Sequence, residues 1–123
     1  MTKYLDEVKE IERLYFKASF DDFSSFYILT VEDKGLEAYL IYSLVLEEAE
    51  IISIFVKEKF RRQGLATKLI NELKQKAKVI YLEVNENNSK AYNLYRKLGF
   101  VVYHQRLKYY DNKDTALLMK WSC

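Results

Sequence analysis

The sequence holds a single cysteine, Cys123, a single histidine, His104, no proline and only three glycines. One thiol forms no intrachain disulfide and supplies no cysteine-based zinc site. One histidine rules out a His-rich metal centre and any mechanism built on two imidazoles. Acid–base chemistry therefore falls to Glu, Asp, Tyr or Lys, and His104 and Cys123 read as structural or incidental. The net charge of +2 is too slight an excess of Lys and Arg for a nucleic-acid binder. No apolar run approaches the about 18 residues of a membrane span, and no basic-then-apolar segment opens the sequence. The expectation is a cytoplasmic protein with neither nucleic acid nor membrane as partner.

What is present is ample core material. Half of the 123 residues are hydrophobic, including 11 Tyr and 7 Phe, enough for one packed domain over residues 1–123. Residues 4–16 set Leu5, Val8, Ile11, Glu12 and Tyr15 near one face of an amphipathic helix. Phe20, Phe23 and Phe26 mark a short helical turn or loop. Residues 26–33 and 36–46, joined by Asp33-Lys34-Gly35, read as a hairpin. Ile51 to Val56 is a nearly continuous apolar strand of the kind covered on both faces. The period then changes: Leu65, Leu69, Leu73 and Ala77 stripe a helix over 64–78, and residues 79–84 return to strand. Strand, helix and strand make a βαβ crossover with parallel strands. Asn87 or Asn88 is placed to cap a helix over 89–98, with Gly99 just past its end. Strands near 100–109 and 115–121 close the chain. The fold class is α/β, with a mixed sheet.

The chemically suggestive segment is Lys57-Glu58-Lys59-Phe60-Arg61-Arg62-Gln63-Gly64-Leu65-Ala66-Thr67-Lys68, between a strand and a helix. A helix start offers unpaired N–H groups and partial positive charge, which suits phosphate. Gly64 and Ala66 leave the backbone approachable, and Lys57, Lys59, Arg61, Arg62 and Lys68 add charge. An ordinary turn with solvated basic residues has the same composition, so the segment alone leaves both readings open.

Arg61-Arg62-Gln63-Gly64-Leu65-Ala66 resembles the Arg/Gln-x-x-Gly-x-Gly/Ala signature of the GNAT acetyltransferases. Leu82-Glu83-Val84, Asn88, Ala91, Leu94-Tyr95, Leu98-Gly99-Phe100, Arg106, Tyr109-Tyr110 and Ala116 to Met119 extend the likeness to the RimI-type branch, over residues of about 50–120. The resemblance implies a mostly antiparallel sheet around a central βαβ unit, flanked by helices; the sequence departs from it in leaving almost no room for the usual first strand, because the helix starts by Tyr4. It implies an acetyl-CoA-dependent N-acetyltransferase working through a ternary complex, as a monomer or homodimer. Residues 1–50 would form the acceptor side, and residues 51–123 the acetyl-CoA-binding and catalytic half. Acetyl-CoA would be held by Ile54, Phe55, Val56, Arg61, Arg62, Gln63, Gly64, Leu65, Ala66, Thr67, Asn88 and Tyr95. Asn88 would meet the pantetheine arm, and a backbone N–H of strand 51–56 would polarise the thioester carbonyl.

By the same resemblance Glu83 is the general base and Tyr95 the general acid, while Glu83, Arg106, Tyr109 and Tyr110 contact the acceptor. That acceptor is implied to be a protein N-terminus, a ribosomal protein among the candidates. Physical reading supports two of these roles: partial burial would make Glu83 a better base, and Tyr95 can present an O–H donor. Without the family, Tyr95 reads as a core tyrosine and Glu83 as a strand-end carboxylate paired with a lysine. Tyr109 and Tyr110 likewise read as half-buried strand aromatics. The segment Ala18 to Phe23 departs from the family by lacking a Pro-Trp pair. Two other functions stay open: a GNAT enzyme acting on a small-molecule amine, polyamine or lysine side chain, and a non-catalytic CoA-binding or interaction module.

Overall fold

Alternating burial along the strands divides the molecule into two packed layers on either side of one sheet. A computed structural model describes residues 3–16, 25–111 and 113–123. Helix α1, Leu5–Tyr15, buries Val8, Ile11 and Glu12. Strands β1 (Tyr27–Glu32) and β2 (Leu36–Val45) form the expected hairpin, and β3 (Glu48–Val56) follows. A single 3-10 turn, Glu58–Phe60, leads to helix α2, Leu65–Lys74. Strand β4 (Val79–Asn85), helix α3 (Ser89–Lys97) and strands β5 (Val101–Tyr110) and β6 (Asp114–Ser122) complete the order. The sheet runs β1-β2-β3-β4-β6-β5. Every pairing is antiparallel except β3 with β4, the two arms of the crossover.

Successive residues of β2 point to opposite faces, as the strand period requires. Ala38, Leu40 and Tyr42 join the core beneath α2 and α3, with Leu69, Ile80, Phe100 and Met119. Tyr39 and Ile41 join Val8, Ile11 and Leu36 under α1. Among the described residues α1 precedes every strand. No described helix is long and apolar enough to cross a membrane.

Two boundaries differ from the sequence reading. Helix α2 stops at Lys74 rather than Lys78. Ala77 continues the apolar stripe and is buried, yet the backbone has left the helix, with the N–H of Lys78 donating to the carbonyl of Glu47. Strand β3 begins at Glu48 rather than Ile51, because Glu48 and Glu50 point outward while Ala49 points in. That alternation of charged and small residues hides strand from a search for apolar runs. Asn88, not Asn87, caps α3, its side chain accepting from the N–H of Ala91. At the other end the N–H of Phe100 donates to Tyr95 and that of Gly99 to Arg96. These paired bonds around Gly99, at φ +94, form a Schellman motif. The turn expected at Phe20 and Phe23, and the Ala18 to Phe23 segment, lie outside the described residues.

The feature that makes a site is the break in the β3–β4 ladder. Parallel pairing covers only Glu48 with Val79, Ala49 with Ile80 and Glu50 with Tyr81. Beyond it β3 continues to Val56 and β4 to Asn85, but they no longer pair with each other. A bulge lies at the parting point: Ile41 pairs with Ser53 and Tyr42 with Ile51, leaving Ile52 extra. An extra residue bends a strand and raises its local twist. It turns β3 away from β4, whose other edge stays fully paired to β6.

Candidate active site

On the α2 and α3 side, the opening continues into an elongated groove of about 490 Å³. Its walls come from Ile54, Phe55 and Val56 of β3, the turn and start of α2, and the Asn88–Tyr95 face of α3. Gly64 is the N-cap of α2, at φ +76, a left-handed backbone that L side chains resist. No side chain caps this helix. The first helical bond is Lys68 N–H to Gly64 C=O, so the N–H groups of Leu65, Ala66 and Thr67 have no acceptor among the described residues. Uncapped donors at the positive end of a helix dipole, beside a glycine with open space where a Cβ would stand, fit a pyrophosphate. The apolar groove beyond them fits the long arm of acetyl-CoA.

The basic residues divide into two groups. Arg62 lines the groove and itself adopts φ +64. Arg61 lines it too, but its Nε donates to the carbonyl of Val56 at 2.9 Å and its guanidinium lies over Phe55. Lys57 and Lys59 were expected near the same phosphates; instead they border a separate hollow next to Gly35, with Lys57 paired to Glu7 of α1. Gln63 is exposed and is not part of the groove wall. Phe60, Lys90 and Leu94 line the groove although the sequence reading did not name them for binding. The helical spacing of Lys90, Ala91, Leu94 and Tyr95 was the available signal.

Where β3 and β4 part, the groove meets a cleft of about 410 Å³ that holds both proposed acid–base residues. Tyr95 reaches it from α3. Its ring is packed against Phe100 and 7% exposed, so the core-tyrosine reading is correct for the ring. The hydroxyl makes no hydrogen bond among the described residues, and no fully buried polar side-chain atom lacks a partner. The hydroxyl therefore opens on the cleft. Burial pushes it above the usual tyrosine range, which keeps its proton in place at physiological pH.

Glu83 enters from β4, between the inward-facing Leu82 and Val84. Its side chain keeps 35% of its surface exposed at the sheet face, so its burial is partial. Its partners are Arg106, 3.8 Å away, and the hydroxyl of Tyr110, rather than a lysine. Burial and the neighbouring carboxylate of Glu83 push that hydroxyl up to about 12. Tyr109 lies against the guanidinium of Arg106. With Tyr81 and Tyr103, Arg106 and Tyr109 wall a second hollow of about 380 Å³ that shares Glu83. Glu83, Arg106, Tyr109 and Tyr110 thus come together. Asn88 also lines the cleft, its carbonyl oxygen occupied by the helix cap.

A charged contributor to the cleft also escaped the sequence reading. Glu12 of α1, 1% exposed, lines the cleft. Its position on the inward face of a helix read as packing, since the strands that receive it lie far along the chain.

Residues 2–100 match the acetyltransferase (GNAT) family. The chain is 32% identical to the N-alpha-acetyltransferase of Sulfurisphaera tokodaii over 122 residues, 94% of this chain and 73% of that protein. It is 34% identical over 92 residues to the ribosomal protein bS18-alanine N-acetyltransferase of Escherichia coli (strain K12), covering 68% of this chain and 62% of that one. The crystal structure of the ribosomal-protein-S18-alanine N-acetyltransferase from Escherichia coli superposes with a TM-score of 0.83 at 25% identity, over 99% of this chain and 89% of that one. The chain belongs to the GNAT family and is of its RimI type. It is an acetyl-CoA-dependent N-acetyltransferase.

Proposed function

We propose that this enzyme acetylates the N-terminal α-amine of a protein, with Glu83 as general base and Tyr95 as general acid. The observation that carries the reading is the cleft itself. Glu83 reaches it from the sheet surface that also carries Arg106, and Tyr95 from the α3 side. A thioester lying along the α2–α3 groove would meet an amine arriving from the opposite side. Acetyl-CoA supplies the activated acetyl group. The amine nitrogen bonds to the acetyl carbon, its proton passes to Glu83 through water, and the carbon–sulfur bond breaks. Tyr95 then gives its proton to the departing thiolate. Between its bulge and Val56, β3 leaves backbone groups without a ladder partner on the β4 side, and these are available to the thioester carbonyl.

An α-amine suits a single carboxylate base. With a pKa near ~8, about one α-amine in ten is neutral at pH 7, against fewer than about one lysine in a thousand at ~10.4. The names of the two relatives point the same way, one to N-alpha acetylation and one to the alanine of a ribosomal protein. Ribosomal proteins and other newly made chains in the cytoplasm are accordingly the acceptors to try first. Tyr109 and Tyr110, beside Glu83, would flank the first residues of the peptide. The test uses peptides with a free N-terminus and an internal lysine, the acetyl group being located by fragmentation mass spectrometry. Label on the α-amine supports the reading; label mainly on lysine, or on peptides with a blocked N-terminus, refutes it.

A further inference from the structure

The geometry points to Glu12 as a second carboxylate of the amine site, the counter-charge that seats the acceptor's ammonium group in the cleft before it is deprotonated. This rests on the acceptor reading above. Three observations carry it. Glu12 lines the same cleft as Glu83 and Tyr95. Both of its hydrogen bonds among the described residues, from Tyr39 at 2.5 Å and from Ser53 at 2.8 Å, fall on one oxygen, Oε2. Among the described residues no Lys, Arg or His forms an ion pair with it.

A carboxylate removed from water is costly unless paired with a cation. Tyr39 and Ser53 supply dipoles, not charge. Burial and the bond to Glu12 hold the Tyr39 hydroxyl well above the ordinary tyrosine range, so it stays a donor. The second oxygen, Oε1, is not counted among buried atoms lacking a partner, which leaves it with surface on the cleft. The missing cation is then what the substrate brings: a primary ammonium entering between α1 and β4.

The placement follows from the bulge. With Ile52 extra, Ser53 falls opposite Ile41 on the α1 face, where its hydroxyl reaches Glu12. The same irregularity that opens the sheet also directs a donor to the carboxylate. Glu12 and Glu83 divide the work: the first holds the ammonium through Oε1, the second receives the proton through water. A lone Glu83, already engaged with Arg106 and Tyr110, has less to offer an incoming cation.

The experiment measures binding of a short peptide and of its des-amino counterpart to the enzyme with CoA, a pair that cannot react. The parent should favour the free-amine peptide by about 10-fold or more, the range for a hydrogen bond to a charged group. Glu12→Gln keeps an oxygen for Tyr39 and Ser53 but removes the charge. It should lose that preference while binding CoA and the des-amino peptide as the parent does. A preference retained in Glu12→Gln, or equal weakening toward both peptides, overturns the proposal and leaves N-terminal acetylation by the parent intact. If Glu12→Gln does not fold, Glu12→Asp, which draws the charge back by one carbon, must selectively weaken the free-amine peptide; equal weakening overturns it. A parent that acetylates lysines instead defeats the acceptor reading itself, a result visible without any variant.

Discussion

The groove beside α2 and the cleft between α1 and β4 share a wall but are built differently. The groove's phosphate end is made of backbone and contiguous sequence, facing a wall from α3: uncapped N–H groups, one left-handed glycine and a helix that starts at once after the turn. The cleft is made of side chains from α1, β3, β4 and α3, brought together only by the sheet. A surface of backbone donors tolerates changes of neighbouring side chains, as the folded-back Arg61 illustrates. A constellation of separate side chains does not, because each has one role and no substitute. Cofactor binding should therefore be robust and chemistry fragile.

The contrast is broken most directly at Tyr95. Tyr95→Phe keeps the ring against Phe100 and deletes the donor. We expect kcat to fall about 10²-fold or more, with acetyl-CoA affinity nearly unchanged. Steady-state kinetics with calorimetry will show this; parental activity with a lowered Tm would make Tyr95 a core residue only. Because burial raises the pKa of this hydroxyl, the proton is present at every pH below that raised value. Loss of the acid should therefore appear only on a strongly alkaline limb of the parent's profile and be absent from the variant's.

Glu83→Gln comes next. At neutral pH the rate should drop about 10- to 10²-fold and recover as pH rises and neutral amine accumulates, since less depends on a base there. A pH–rate profile superimposable on the parent's would assign the proton to another acceptor.

Gly64→Val tests the groove. The site has room for a Cβ, but φ +76 does not suit one, and forcing a β-branched residue there costs about 1–3 kcal/mol. The helix start should shift, weakening acetyl-CoA by about 10-fold in calorimetry, an amount near that strain, while far-UV dichroism is retained. Equal affinity would remove the phosphate role from this turn.

The smallest effect belongs to Asn88→Ala. Loss of the cap bond to Ala91 should cost about 1 kcal/mol, read as a lower Tm. If acetyl-CoA affinity falls beyond what that stability change explains, Asn88 touches the pantetheine arm as well as capping α3.

How legible these parts were follows the same division. The order of elements could be read because periods of 2 and 3.6 alternate cleanly, and Gly99 and Asn88 sit at helix ends where their geometry is required. The start of β3 could not, because Glu48 and Glu50 alternate with a single small residue and offer no apolar run. The end of α2 was overrun because Ala77 keeps the helical stripe while its buried position serves a turn. Glu83 and Tyr95 were identifiable through the family pattern; their surroundings were not. A strand position says which face a side chain points to, not how far that face is covered, and the surface around Glu83 is covered only in part.

By itself the sequence determined the family, the βαβ unit and the glycine turn that starts α2, all of which are local and rest on neighbouring residues. Only the tertiary structure decided that the β3–β4 ladder stops after Glu50 and Tyr81, that Lys57 and Lys59 face elsewhere, and that Glu12 lies beside Tyr39 and Ser53. The physical reason is that these depend on which strand edges find partners and which helix covers which face. Glu12 and Ser53 stand 41 positions apart, and no local period encodes such pairings.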